Sequence, residues 1–206
     1  MLIINVLMFA ATFVFKSRGI FFDDIFGLHF FPASDFHVYQ FVTYMFMHAN
    51  LEHIFFNMFA VLMFAPAIER EWGSKRFLIY YLITGLGAAV VQEAVWALNI
   101  HHIASPLNAA LFADRVVTIG ASGAVFGILL AFGWMFPDVR MFIMFIPIPI
   151  RARTLVIIYA LIELFTGIAP SADNVAHFAH LGGMLFGLLL ILWWRFRGHD
   201  GFDSRP

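Results

Sequence analysis

Cysteine is absent from the 206-residue chain, which removes disulfides, thiolate metal ligands and a cysteine nucleophile together. Charge is scarce as well. Asp, Glu, Lys and Arg make up 12% of the residues, against roughly 25% in a soluble domain, too few to keep a folded surface in water. The formal net charge of −1 leaves no electrostatic case for nucleic acid. No repeat of fixed period points to a solenoid or an inverted-repeat transporter. What is present is apolar: 62% hydrophobic residues, 27 of them phenylalanine, and a mean hydropathy of +0.87. This is the composition of an all-α polytopic membrane protein, with room for six or seven spans of about 20 residues in a single domain.

Apolar runs predict six spans, at Leu2–Phe15, Leu51–Ile68, Phe77–Leu98, Ile119–Phe136, Thr154–Ile168 and Ala176–Trp194. The first is short, and it has neither the basic flank nor the cleavage site of a signal peptide. A helix beginning at Met1 barely crosses, so an upstream segment is an open alternative. Together the spans make one membrane domain over 1–197, followed by a short polar tail at 198–206. An N-terminus inside the cell puts nine basic residues on inward segments: Arg70, Lys75, Arg76, Arg140, Arg151, Arg153, Arg195, Arg197 and Arg205. Lys16, Arg18 and Arg115 fall outward. That asymmetry predicts both termini cytoplasmic, although Lys16 and Arg18 locally oppose it. The segment Lys16–Asn50 is rich in aromatic residues but broken by Asp23, Asp24, Pro32 and Asp35, and it reads as an interfacial or half-inserted element. Met141–Ile150, with Pro147 and Pro149, reads as a connection skimming the membrane.

Polar groups within a bilayer are costly and therefore informative. Three sets fall at the outer ends of spans: His48, His53 and Asn57; Gly120-Ala121-Ser122-Gly123; and His177 with His180. At 1.5 Å rise per residue, Ser122, His180 and His53 lie at a common depth, roughly 3–6 Å below the outer boundary. His53 and Asn57, four residues apart, share one helix face. Gly123 with Gly127, and Gly183 with Gly187, are small-residue pairs that allow close helix approach, so the fourth and sixth spans can meet beneath Ser122 and His180. A serine needs a base to become a nucleophile, and histidine titrates in the right range. His53, Asn57 and the Ser122 amide are candidate donors to an oxyanion. Other readings of the same residues stay open. Gly-x-Ser-Gly is also a packing surface, and a lone membrane histidine commonly bonds a neighbouring helix. His48, His53, His177 and His180 could together hold a metal, though their spacings match no zinc-protease helix. Glu93 and Glu163 lie nearer the membrane interior and could pair with histidine. Neither has a spacing that completes a triad, so the pattern favours a two-residue dyad, with Glu163 the weaker third candidate.

Taken together, these motifs resemble the rhomboid family of intramembrane serine proteases. The stretch from Tyr39-Gln40 to His53-Ile54-Phe55-Phe56-Asn57 is similar to the family's second helix and its approach. Glu69, Gly73 and Ser74 fit its cytoplasmic turn, Gly120-Ala121-Ser122-Gly123 its nucleophile motif, and Ala179-His180-Leu181-Gly182-Gly183 with Gly187 its last core helix. The resemblance runs from about Phe36 to Trp194. It implies a six-helix bundle with a membrane-embedded loop between helices 1 and 2, and a water-filled cavity opening outward. It also implies Ser122 as nucleophile, His180 as general base, and an oxyanion hole of His53, Asn57 and the Ser122 amide, with no metal and no cofactor. The implied substrates are single-span membrane proteins in the lipid bilayer, cut near the outer end of the helix. The implied location is a bacterial plasma membrane.

The chain departs from the family pattern at three places. Tyr39-Gln40 stands where many members have Trp-Arg, Ala65 where glycine is frequent, and Phe126 where tyrosine is familiar. Phe126 can stack on His180 but offers it no hydroxyl. His177 lies outside the matched pattern and reads as structural or substrate-facing.

Overall fold

The computed structural model describes residues 1–103, 105–143, 146–169 and 176–198; the polar tail expected at the C-terminus lies almost wholly outside them. The described chain is mostly helical. Helix α1 (Leu2–Lys16) is followed by a short α2 (Phe22–Phe26), a two-residue strand β1 (Leu28–His29) and a single turn, α3 (Gln40–Thr43). The longer helices are α4 (Leu51–Trp72) and α5 (Ser74–Ile100); after α6 (Pro106–Arg115) and β2 (Val117–Thr118) comes α7 (Ser122–Met135). A hairpin of β3 (Arg140–Ile143) and β4 (Ile146–Arg151) leads into α8 (Ala152–Ile168), and α9 (His177–Phe196) follows.

Helices α4, α5 and α9 are long and apolar enough to cross a membrane, while α1 and α7 are shorter apolar helices. Their surfaces are inverted relative to a soluble protein. Phe55, Phe59, Leu62, Ile157, Phe165 and Leu189 are all exposed, whereas Asn57, Gln92, Glu93, Glu163 and His180 are buried. Contiguous apolar exposure on this scale has no place in water. Lipid satisfies it, provided that backbone groups bond within helices. The molecule is an integral membrane protein.

Helices α5, α7 and α9 pack on one another, α4 lies against α7, and α8 lies outside against α7 and α9. Glycines set the closeness. A methyl on Gly183 of α9 would stand 1.9 Å from the Gly123 carbonyl oxygen of α7, so the two backbones touch. The other three glycines face α5: Gly123 meets Ala88, Gly127 meets Thr84 and Gly187 meets Tyr80. The two glycine pairs therefore bind three helices, a geometry the two-helix reading of the sequence did not contain. Tyr80 Oη donates to the Gly127 carbonyl at 2.8 Å, giving the α5–α7 contact a polar tie. The 14 residues of α7 rise only about 21 Å, short of the roughly 30 Å of hydrocarbon that a spanning helix must cover.

The segment before α4 is folded rather than loose. Gln40 is fully buried and holds it from the inside: its Oε1 accepts from the His37 amide at 3.0 Å, and its Nε2 donates to the Asp35 carbonyl at 2.9 Å. Glu93 of α5 accepts from the Phe31 amide at 3.1 Å, which fastens the segment to the bundle. β1 pairs antiparallel with β2, His29 opposite Val117, and so reaches the approach to α7. The β3–β4 hairpin was not expected from Met141–Ile150. Its prolines break a helix, but Pro149, opposite Phe142, fits the edge of a two-stranded ribbon, where no partner needs its missing N–H. Asp138 braces the hairpin's base against Arg151 and Arg153, each at 3.4 Å.

Candidate active site

Ser122 is the first residue of α7, three residues later than the apolar run from Ile119 suggests. The delay comes from Gly120, whose φ of +130° is open to glycine and strained for other residues, and whose N–H donates to the Tyr44 carbonyl at 2.9 Å. That bond ends the extended approach and starts the helix at the serine. Being in the first turn, the Ser122 N–H has no carbonyl four residues back within the helix.

His180 sits in the first turn of α9, brought to α7 by the Gly183–Gly123 contact one turn further on. Its Nε2 lies 2.8 Å from Ser122 Oγ. The ring is fixed from the side by Phe126, which stacks on it at 4.4 Å between centroids and 5° between planes. The stack expected of Phe126 is thus present without a hydroxyl.

His53 enters from the head of α4, where Asn50 caps the helix by accepting from the His53 amide at 2.8 Å. A methyl placed on Gly120 would meet His53 Nε2 at 2.7 Å and Ser122 Oγ at 3.6 Å. One small space beside Gly120 therefore borders both groups, and it exists because residue 120 has no side chain. Asn57, one turn below His53 and buried, donates from Nδ2 to the His53 carbonyl at 3.0 Å, which leaves one of its two amide hydrogens for another acceptor. His48 is buried beside His53, ring centroids 5.0 Å apart. It lies outside the spanning helices; burial, then the proximity of His53, pushes its pKa down to about 4.

Of the four histidines that the sequence offered as a metal set, the structure divides two pairs, His48 with His53 on one side and His177 with His180 on the other. The cluster of possible ligands among the described residues is instead Glu163, His177 and His180, whose donor atoms lie within 4.8 Å of one another. Glu163 Oε2 is 2.6 Å from His177 Nδ1 and 3.0 Å from His180 Nδ1. No sequence spacing announces this meeting, because Glu163 is on α8 and the histidines are on α9. The available signal was a carboxylate at an interior position of an apolar helix.

Residues 35–196 match the Rhomboid domain. Similar curated proteins include Rhomboid-like protein 11, chloroplastic, of Arabidopsis thaliana, 32% identical over 92% of this chain and 62% of its own length. RHOMBOID-like protein 6, mitochondrial, of the same plant is 27% identical over 81% of this chain and 50% of its own length. Putative rhomboid protease YdcA of Bacillus subtilis is 27% identical over 74% and 65%. The chain spans between half and two thirds of the length of these relatives.

Proposed function

The chain belongs to the rhomboid family, and from that premise we propose that it is an intramembrane serine endopeptidase acting through Ser122 and His180. The observation that carries this reading is the 2.8 Å contact between Ser122 Oγ and His180 Nε2, formed at the heads of two packed membrane helices. In the proposed reaction His180 Nε2 takes the hydroxyl proton as Ser122 Oγ bonds to the scissile carbonyl carbon. The carbonyl electron pair moves onto oxygen, and the resulting oxyanion occupies the space beside Gly120, within reach of His53, Asn57 and the Ser122 amide. Collapse breaks the C–N bond, and the amine leaves with the proton from Nε2. Water then repeats the sequence on the acyl-enzyme, with Nε2 again taking and returning a proton.

The proposed substrates are single-span membrane proteins cut near the outer end of their helix. A helical amide is already hydrogen-bonded and its carbonyl shielded, so the substrate must unwind locally to reach Ser122. No metal or cofactor enters this chemistry. The six-helix bundle with a membrane-embedded loop, both termini cytoplasmic and a bacterial plasma membrane as its location, belong to the same proposal; the orientation rests on the nine inward basic residues against three.

A fluorophosphonate probe tests the assignment directly, since it phosphonylates an activated serine without needing a known substrate. The protein in detergent should be labelled, and Ser122→Ala should not. Labelling that persists in Ser122→Ala refutes the nucleophile.

A further inference from the structure

A buried carboxylate stands behind the proposed base. Glu163 projects from α8 into the head of α9, and its Oε2 is shared between two imidazoles, His177 Nδ1 at 2.6 Å and His180 Nδ1 at 3.0 Å. The two rings are three residues apart on one helix face and nearly perpendicular, at 88°, so one oxygen can lie between them. Thr166, a turn after Glu163 on α8, holds its hydroxyl to the Ile162 carbonyl at 2.6 Å and stands 3.2 Å from His177 Nδ1. His180 Nδ1 is itself buried without an aligned hydrogen-bond partner among the described residues, and Glu163 Oε2 faces it off the line of the N–H.

We propose that Glu163 is a positioning residue for His180, anchored by His177, which makes the pair a Ser122–His180–Glu163 triad. The inference rests on the reading of Ser122 and His180 given above. For Nε2 to accept the Ser122 proton it must be bare, so the proton of the neutral ring must reside on Nδ1. A carboxylate facing Nδ1 selects that tautomer. When Nε2 takes the hydroxyl proton the ring becomes a cation, and a small swing of the imidazole on the Phe126 face aligns Nδ1–H with Glu163. The carboxylate keeps its charge throughout and takes no proton. His177, with the shorter contact, prevents Glu163 from turning away. The other titratable neighbours are His53 on α4, whose Nε2 borders the same space beside Gly120 as Ser122 Oγ, and His48 beyond it; neither can offer Nδ1 a negative charge. From α5, Glu93 is directed to the Phe31 amide.

The test is the rate at which a fluorophosphonate labels Ser122, resolved by saturation into probe binding and the maximal rate of phosphonylation. Glu163→Gln keeps the shape, removes the charge and can present an N–H to Nδ1, favouring the wrong tautomer. Its maximal rate should fall by about 100-fold or more, with probe affinity within about twofold of wild type. Glu163→Asp restores the charge on a shorter arm and should recover about tenfold of that loss, a rescue that a purely structural role does not produce. A Glu163→Gln rate within about threefold of wild type overturns the proposal, as does an equal loss in Gln and Asp. Should Glu163→Gln fail to fold, His177→Ala and Glu163→Asp carry the test. Both keep the carboxylate on α8 and should slow labelling with affinity unchanged; wild-type rates in both overturn it. Ser122→Ala separates the two readings: labelling there sinks the nucleophile assignment, whereas a silent Ser122→Ala beside a normal Glu163→Gln sinks only the triad.

Discussion

Replacing Gly183 by alanine adds one methyl at the closest approach of α7 and α9, and its cost can be worked from the geometry. The new Cβ would lie 1.9 Å from the Gly123 carbonyl oxygen, where about 3.0 Å is the shortest approach real Cβ atoms make. The Cβ is fixed rigidly to the α9 backbone and the oxygen belongs to the α7 backbone, so neither can swing aside, and the helices must separate by about 1.1 Å. Ser122 directly precedes Gly123 on α7, and His180 lies three residues before Gly183 on α9. The same separation takes their 2.8 Å hydrogen bond to about 3.9 Å, outside hydrogen-bond range. A misplacement of about 1 Å can cost a reaction some 100-fold, while overpacking of this kind destabilises by about 1–3 kcal/mol. Gly183→Ala should therefore remain membrane-inserted and helical by circular dichroism, with a lowered Tm and fluorophosphonate labelling slowed by about two orders of magnitude. A folded Gly183→Ala that labels Ser122 within twofold of wild type refutes the claim that this contact sets the distance.

The remaining predictions concern the oxyanion space, the segment before α4 and the buried His48. Gly120→Ala fills the space between His53 and Ser122 and strains a positive φ, so cleavage of a single-span substrate should be abolished; retained turnover contradicts the position given to the oxyanion. Gln40→Leu leaves the His37 amide and the Asp35 carbonyl without their partner, at about 1–3 kcal/mol for each buried group, and thermal unfolding in detergent should drop accordingly; an unchanged Tm removes Gln40 as the fastening of the segment. With its pKa lowered to about 4 from the ordinary 6.5, His48 binds fewer protons folded than unfolded between those values. Stability from this group is complete above pH 6.5 and is lost as the pH falls toward 4, about 3 kcal/mol in all. His48→Gln should flatten that acid limb, measured as Tm against pH; an equally steep limb in the variant assigns the loss to other groups.

Much of this architecture is written in local signals. The polar residues at helix heads, the glycine pairs and the scarcity of charge mark α4, α7 and α9 because a bilayer penalises every polar atom it contains. Helix starts are less legible. Hydropathy continues smoothly through Ile119-Gly120-Ala121, and only the positive φ of Gly120 with its bond to Tyr44 shows why the helix waits until Ser122. The β3–β4 hairpin is hidden for a related reason: a short apolar run with two prolines has no period to separate a ribbon from a membrane-skimming coil. Gln40 is the opposite case. Its amide supplies both a donor and an acceptor to the loop backbone, which an arginine could not do because it has no acceptor.

The pairing of Glu163 with His180 shows where reading by spacing stops. Helical periodicity tells which residues share a face, and it correctly sets His53 above Asn57 and His177 beside His180. It says nothing about which face of α8 meets α9, since that is settled by packing between helices. Even so, bilayer physics restricts the answer. A carboxylate on an apolar helix cannot be left to lipid, and the face of α9 carrying His177 and His180 offers the imidazoles that satisfy it. Partner and partnered residue were both visible as costs before they were visible as a contact, so intramembrane carboxylates and histidines without a local partner should be paired across helices first. Here that pairing reaches the atom of His180 opposite the one that faces Ser122, where a negative charge bears on the tautomer of the ring.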